Sequence, residues 1–122
     1  VPMPRYVSVG DMKLNGKLTL GENTADNGGM VIAFNAFTVA SSGDKTRMID
    51  GFTLPQRFFL AYGQSWCVNR TDEEAKKRVK SDPHSPGKYR VNGVVSNSLE
   101  FRRAFSCKQG SPMAPERINR VW

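Results

Sequence analysis

Two segments of this chain carry residue types that can do chemistry together. The first is Glu22-Asn23-Thr24-Ala25-Asp26. Glu22 and Asp26 stand four positions apart, so on a helix they share one face. Two carboxylates on one face repel each other unless a cation lies opposite. Such a pair can be a metal ligand beside a carboxylate that orients another ligand. It can equally be plain dipole stabilisation, because acids are favoured in the first turn of a helix. The second segment is Asp82-Pro83-His84-Ser85-Pro86-Gly87-Lys88-Tyr89-Arg90. Pro83 and Pro86 restrict the backbone around His84. A rigid loop presenting His84 and Arg90 places donors well for a developing oxyanion. A loop histidine hydrogen-bonded for structure alone fits the same residues.

Composition bounds what these segments can be. The chain has 122 residues, 39% hydrophobic and 24% charged, which is one globular domain at most. It has one histidine and two cysteines. That excludes an HExxH motif, a multi-histidine zinc site and an all-cysteine zinc site within this chain. No run approaches the roughly 18 apolar residues of a membrane span, and there is no signal-peptide core. The chain opens on Val1, so translation is expected to start upstream. Lys and Arg total 18 against 11 Asp and Glu, a net charge of +7. The charges form no single block. Lys76-Lys77-Arg78 follow Asp72, Glu73 and Glu74, an order that suits a short solvated helix and its dipole. This reads as a basic surface, or as half of a larger protein with an acidic other half, rather than as a nucleic-acid interface.

The elements that must position the two segments read as mainly α with extended loops. Val1 to Val9, with Pro2 and Pro4, reads as irregular. Asn15-Gly16 is a turn signal, and Lys17 to Leu20 alternates like a short strand. From Glu22 to about Ser41 the pattern is helical through Met30, Ala33, Phe34 and Phe37, with Gly43 as the stop. Gly28-Gly29 inside it costs roughly 1 kcal/mol each relative to Ala, which predicts a closely packed backbone there. Asp44 to Asp50 reads as a polar loop. Thr53-x-x-Gln56 is a capping box that opens a helix carrying Phe58, Phe59, Tyr62 and Trp66, a face that must be buried. Thr71-x-x-Glu74 opens a charged helix to about Ser81. Asp82 to Asn92 reads as a fixed-shape loop. Asn97-x-x-Glu100 opens a last short helix through Phe105, and a Gly/Pro-rich tail follows from Cys107.

Together these segments resemble the C-terminal part of a neprilysin-type zinc metallopeptidase, the group that includes the endothelin-converting enzymes. The resemblance runs from about Asn15 to the end. It rests on Asn15 through Asp26, on Arg57-Phe58-Phe59-Leu60 with Gln64-Ser65-Trp66-Cys67, on Asp82 through Gly93, and on Arg120-Val121-Trp122. It implies that residues 1–122 are the C-terminal portion of a thermolysin-like (gluzincin) catalytic domain. The implied activity is zinc-dependent endopeptidase cleavage on the amino side of hydrophobic residues.

The resemblance also implies roles. Glu22 is the third protein ligand of one zinc ion shared with two histidines outside this chain. Asp26 orients a zinc-bound histidine. His84 stabilises the oxyanion, and Asp82 steadies His84. Arg90 binds the substrate backbone on the primed side, and Trp66 lies near the S1′ pocket. The implied partners are peptide substrates and an HExxH-bearing chain or N-terminal segment of the same protein. This chain alone is expected to be inactive. The implied location is extracytoplasmic: secreted, periplasmic or an ectodomain.

Three departures from the family pattern stand out. The HExxH helix lies further back than the 21 residues ahead of Glu22. Thr24 replaces the usual aliphatic residue, and Asn119 replaces a common cysteine. An even cysteine count invites a Cys67–Cys107 bridge, but the family pattern pairs both with partners elsewhere. Asn69-Arg70-Thr71 is a glycosylation sequon. The competing expectation is a non-catalytic interaction module that keeps the peptidase fold. The joint presence of Glu22, Asp26, His84 and Arg90 disfavours it.

Overall fold

Asn15 organises the entry to the longest helix. Its Oδ1 accepts the backbone N–H groups of Lys17 and Leu18 at 3.2 and 3.1 Å. Its carbonyl accepts the Thr19 N–H at 3.1 Å. The chain turns here, so the strand expected over Lys17 to Leu20 does not form, and Leu20 already begins α1 (Leu20–Ala40). The computed structural model describes residues 7–119 and 121. Pro2 and Pro4, and Arg120 and Trp122 of the terminal motif, lie outside the described residues. Val7–Val9 (β1) pairs antiparallel with Met12–Lys13 (β2), where an irregular segment is expected through Val9.

Gly43 sits at φ +70° and donates its N–H to the Thr38 carbonyl at 2.8 Å, which closes the end of α1 as expected. The polar loop that follows is shorter than the sequence predicts. Met48–Ile49 (β3) and Phe52–Thr53 (β4) form a small hairpin. Its two turn residues, Asp50 and Gly51, both have positive φ, the Asp-Gly chemistry of a tight hairpin.

Thr53 and Gln56 make the expected reciprocal capping box at α2 (Leu54–Ser65). Thr71 caps α3 (Asp72–Ser81) through the Glu74 N–H. The segment from Asp82 to Asn92 is a loop only as far as Pro86. Pro86 is the N-cap of α4 (Gly87–Val95), which corrects the all-loop expectation. Proline suits a helix entrance because its fixed φ and missing N–H cost little there. At α5 (Leu99–Ala104) the cap is Ser98, not Asn97: its Oγ accepts the Phe101 N–H at 3.1 Å.

The core joins α1, α2, α4 and α5. Met30, Phe59, Val94 and Val95 are its buried members. Phe34 stacks on Phe59 at 5.3 Å and meets Phe58 edge-on at 5.2 Å, a mix of geometries that suits aromatic quadrupoles. Of the aromatic face expected on α2, Phe59 is buried while Phe58, Tyr62 and Trp66 are half-buried. Trp66 lies just past the helix as its C-cap. Gly28 is buried, but a Cβ at Gly29 would meet nothing within 4 Å, so the expected close approach is absent at Gly29. The second half of α1 is apolar on its open side too: Val31, Ile32 and Val39 are exposed. A helix apolar all round is the kind that a larger fold covers.

Candidate active site

The first turns of α1 and the Asp82–Pro86 loop are stitched together by buried polar side chains. The Asn23 Nδ2 donates to Thr19 Oγ1 at 3.1 Å, and the Asn23 Oδ1 accepts the Ser85 hydroxyl at 2.9 Å. Thr19, Asn23 and Ser85 are all buried, so each needs these partners. Sequence reasoning assigned no role to Asn23 or Ser85. The available signal was that both lie inside the two chemical segments. One turn on, Asn27 and Asn97 form a second tie. The Asn97 Nδ2 donates to Asn27 Oδ1 at 2.9 Å and to the Asn119 carbonyl at 2.5 Å, and the Asn119 N–H returns to Asn97 Oδ1 at 2.7 Å. Thus Asn119 is held through both its backbone groups by the Asn97 side chain.

On this frame the six candidate residues converge. His84 Nδ1 lies 2.7 Å from Asp82 Oδ1, and its Nε2 lies 3.2 Å from Glu22 Oε2. The His84 N–H also donates to Asp82 Oδ1 at 2.9 Å. Asp82 pairs with Arg78 as well. The His84 N–H, more than its ring or Arg78, holds the Asp82 carboxyl below the usual carboxylate range. Stability from such a depressed acid is present above its unfolded value and is lost only as pH falls through the lower folded one.

Arg90 supplies the cation that the Glu22/Asp26 face requires. Its Nε and Nη2 donate to the two Asp26 oxygens at 2.5 and 2.6 Å, a bidentate fork. Nη2 also lies 3.6 Å from Glu22 Oε2. The guanidinium sits over the Trp66 ring at 4.3 Å. The hydrogen bond to Asp26 raises the Arg90 pKa further, so it stays charged. The Tyr62 hydroxyl donates to the Arg90 carbonyl at 3.0 Å. Burial, and next the Asp26 charge, push the Tyr62 pKa up to about 12, keeping it a neutral donor.

Glu22 is 40% exposed, and both of its ionic contacts use Oε2. Among the described residues no group of three or more His, Cys, Asp or Glu is placed to hold a metal ion. A zinc site built here therefore fits only with ligands supplied from outside the chain. Cys67 and Cys107 are both free thiols, Cys67 exposed. Asn69 is exposed in the loop between α2 and α3. Among the described residues no helix is long and apolar enough to cross a membrane.

The Asp26–Arg90 pair gives a stability test. Both side chains are only 12% exposed, so losing one strands the other in a poorly solvated place. Arg90→Ala is expected to cost about 3 kcal/mol, the lower end for breaking a buried pair. Adding Asp26→Ala should recover part of that loss, because the orphaned acid is gone. Urea unfolding of the two single variants and the double variant checks this. Additive losses would show that the fork contributes nothing of its own.

The model of peptidase family M13 matches residues 3–121. The chain is 45% identical over 118 residues to endothelin-converting enzyme 1 of Bos taurus, covering 94% of this chain and 16% of that protein. It is 44% identical over 117 residues to Neprilysin-1 of Caenorhabditis elegans, covering 92% and 16%. A cryo-electron microscopy structure of a Mycobacterium tuberculosis zinc metalloprotease in its open state superposes with a TM-score of 0.83 at 38% identity, covering 90% of this chain and 17% of that one. The chain thus spans about a sixth of the length of the curated relatives it matches. With a family match along nearly the whole chain, close sequence relatives and a shared mainly helical fold, this chain belongs to the neprilysin and endothelin-converting-enzyme family of M13 metallopeptidases.

Proposed function

We propose that this chain supplies one wall of the active site of a zinc metalloendopeptidase that cuts peptides on the amino side of hydrophobic residues. The observation that carries the reading is the convergence of Glu22 and Asp26 with His84 and Arg90, from segments more than 60 residues apart, through contacts of 2.5 to 3.6 Å.

Zinc, when bound, supplies the Lewis acid that polarises water and the scissile carbonyl. Glu22 offers it an anionic oxygen, beside two histidines from an HExxH helix outside this chain. Asp26 keeps lone pairs beyond those that Arg90 occupies, so it can also accept an imidazole N–H and fix that ring's angle. His84 donates from Nε2 to the oxygen on which negative charge develops. Its Nδ1 faces Asp82, which fixes the angle of the ring. Arg90 commits Nε and Nη2 to Asp26, and among the described residues Nη1 makes no hydrogen bond or ion pair. Nη1 is therefore the donor for a substrate carbonyl on the primed side. Trp66 walls the S1′ pocket and braces the guanidinium from its face.

The isolated chain is expected to hold no stoichiometric zinc and to cleave nothing. Joined to its HExxH-bearing segment, or paired with a chain that carries one, it should do both. Metal analysis and peptide hydrolysis on the two preparations test this. Tight zinc in the isolated chain would sink the shared-site reading. A joined protein that binds zinc yet hydrolyses no peptide would leave the interaction module as its function.

A further inference from the structure

Glu22 and His84 meet half in solvent, and the residues that follow them in sequence, Asn23 and Ser85, meet in the interior. Side chains one apart on a helix do not share a face, so Asn23 points inward while Glu22 stays half-exposed. Asn23 and Ser85 are each 4% exposed. The Ser85 hydroxyl donates to Asn23 Oδ1 at 2.9 Å, Asn23 Nδ2 donates to Thr19 Oγ1 at 3.1 Å, and the Thr19 hydroxyl donates to the Asn15 carbonyl at 3.2 Å. Thr19 spends its one proton on Asn15, so it accepts from the Asn23 amide, and the Asn23 oxygen is left facing Ser85.

His84 and Ser85 both border an open cavity beside Trp66 and α3, so the loop's position decides where the His84 donor stands in it. The loop's ties to α3 are local: Asp82 pairs with Arg78 and accepts the His84 N–H. They set the shape of the loop and not its distance from α1. The His84–Glu22 contact does cross to α1, but its side chains are 43% and 40% exposed, and exposed ion pairs hold little. It is also released whenever Nε2 turns to the substrate oxygen. The Asp26–Arg90 fork ties α4 to α1 beyond the loop. Among the described residues that leaves the buried Ser85–Asn23 bond as the hydrogen bond that holds the loop itself.

We infer that Ser85 and Asn23 are a positioning pair: their buried hydrogen bond sets the distance of the His84 donor from the α1 turn that carries Glu22. The assignment deepens the peptidase reading and rests on it. A preorganised donor works only while its support keeps it within about 0.5 Å of the productive place. The pair touches neither substrate nor metal in this reading, so its loss should reach the reaction through His84 alone.

The test uses the whole zinc peptidase that carries these residues and a fluorogenic peptide with one hydrophobic residue. Ser85→Ala should keep its zinc and lower kcat about tenfold, less than the roughly 100-fold that a misplacement of about 1 Å can cost, with KM within about twofold. Adding Ser85→Ala to His84→Ala should lower kcat no further, whereas independent defects would multiply. Asn23→Leu with Ser85→Ala replaces both partners by apolar groups of similar shape, which can be nearly neutral for stability. That variant should unfold in urea near the parent midpoint and still lose about tenfold in kcat. Zinc-loaded variants that turn over as fast as the parent would overturn the pair's role and leave the peptidase reading intact. A loss that multiplies with His84→Ala, or that comes with loss of zinc, would do the same. A parent protein that cleaves no peptide would overturn the peptidase reading and the pair's role with it.

Discussion

Glu22→Ala, in a protein that joins this chain to an HExxH helix, is expected to remove both bound zinc and peptide hydrolysis. A catalytic zinc site has three protein ligands and an open position. Losing a residue that merely orients a ligand already costs roughly 10- to 100-fold in affinity or activity, so losing a ligand itself should exceed that. Glu22→Gln keeps the shape and one carbonyl oxygen but not the charge, and should fail nearly as badly. The fold should not change. Glu22 is half-buried, and its contacts to His84 and Arg90 are long at 3.2 and 3.6 Å, the kind of exposed ion pair worth about 1 kcal/mol or less. Metal content, hydrolysis and urea unfolding measured on the same preparations separate the two effects. A Glu22→Ala protein that keeps its zinc would make the Glu22/Asp26 pair a helix-start feature only.

What could be read from the sequence is what depends on near neighbours. Thr53 with Gln56, and Thr71 with Glu74, are signals between positions three apart, and both cap helices in the structure. The turn at Asn15 is as local, and so is the stop at Gly43. α4 was not legible, because Gly87, Val91, Asn92 and Gly93 are poor helix formers and the segment follows two prolines. The helix exists because Val94 and Val95 are buried against Met30 and Phe59, contacts that span the chain. Tertiary burial outweighs local preference there. The Asp50-Gly51 hairpin was legible in principle, but its strands are only two residues long, too short to show alternation.

The candidate site divides the same way. Two acids on one helix face demand a cation, and that demand could be read from spacing alone. Which cation meets which acid could not, because the partners are 64 residues apart for Asp26 and Arg90. Asn23 and Ser85 escaped notice because a polar residue in a loop or first turn looks solvated until its burial is known. The individual roles came from likeness to a family, and the contacts supply the reason those residues must travel together. The exposed Val31, Ile32 and Val39 on the open side of α1 were not singled out, because periodicity finds the buried stripe of a helix and not its apolar remainder.

His84→Ala should separate chemistry from metal binding. Removing one preorganised oxyanion donor costs about 100- to 1,000-fold in kcat. Zinc should remain, because His84 is no ligand in this reading and Glu22 is untouched. The loop should keep its course, since Ser85 is tied to Asn23 and Pro83 and Pro86 restrict the backbone without help from the imidazole. KM should therefore move little, as a donor used mainly in the transition state contributes little to ground-state binding. Asp82→Asn should show a milder version of the same defect. It keeps an oxygen for the backbone N–H of His84 but weakens the contact that orients the ring. Steady-state kinetics with metal analysis of both variants decide the matter. If His84→Ala lost zinc along with activity, the contact between Nε2 and Glu22 would be a support for the metal ligand, and the oxyanion donor would have to be sought elsewhere along the cavity.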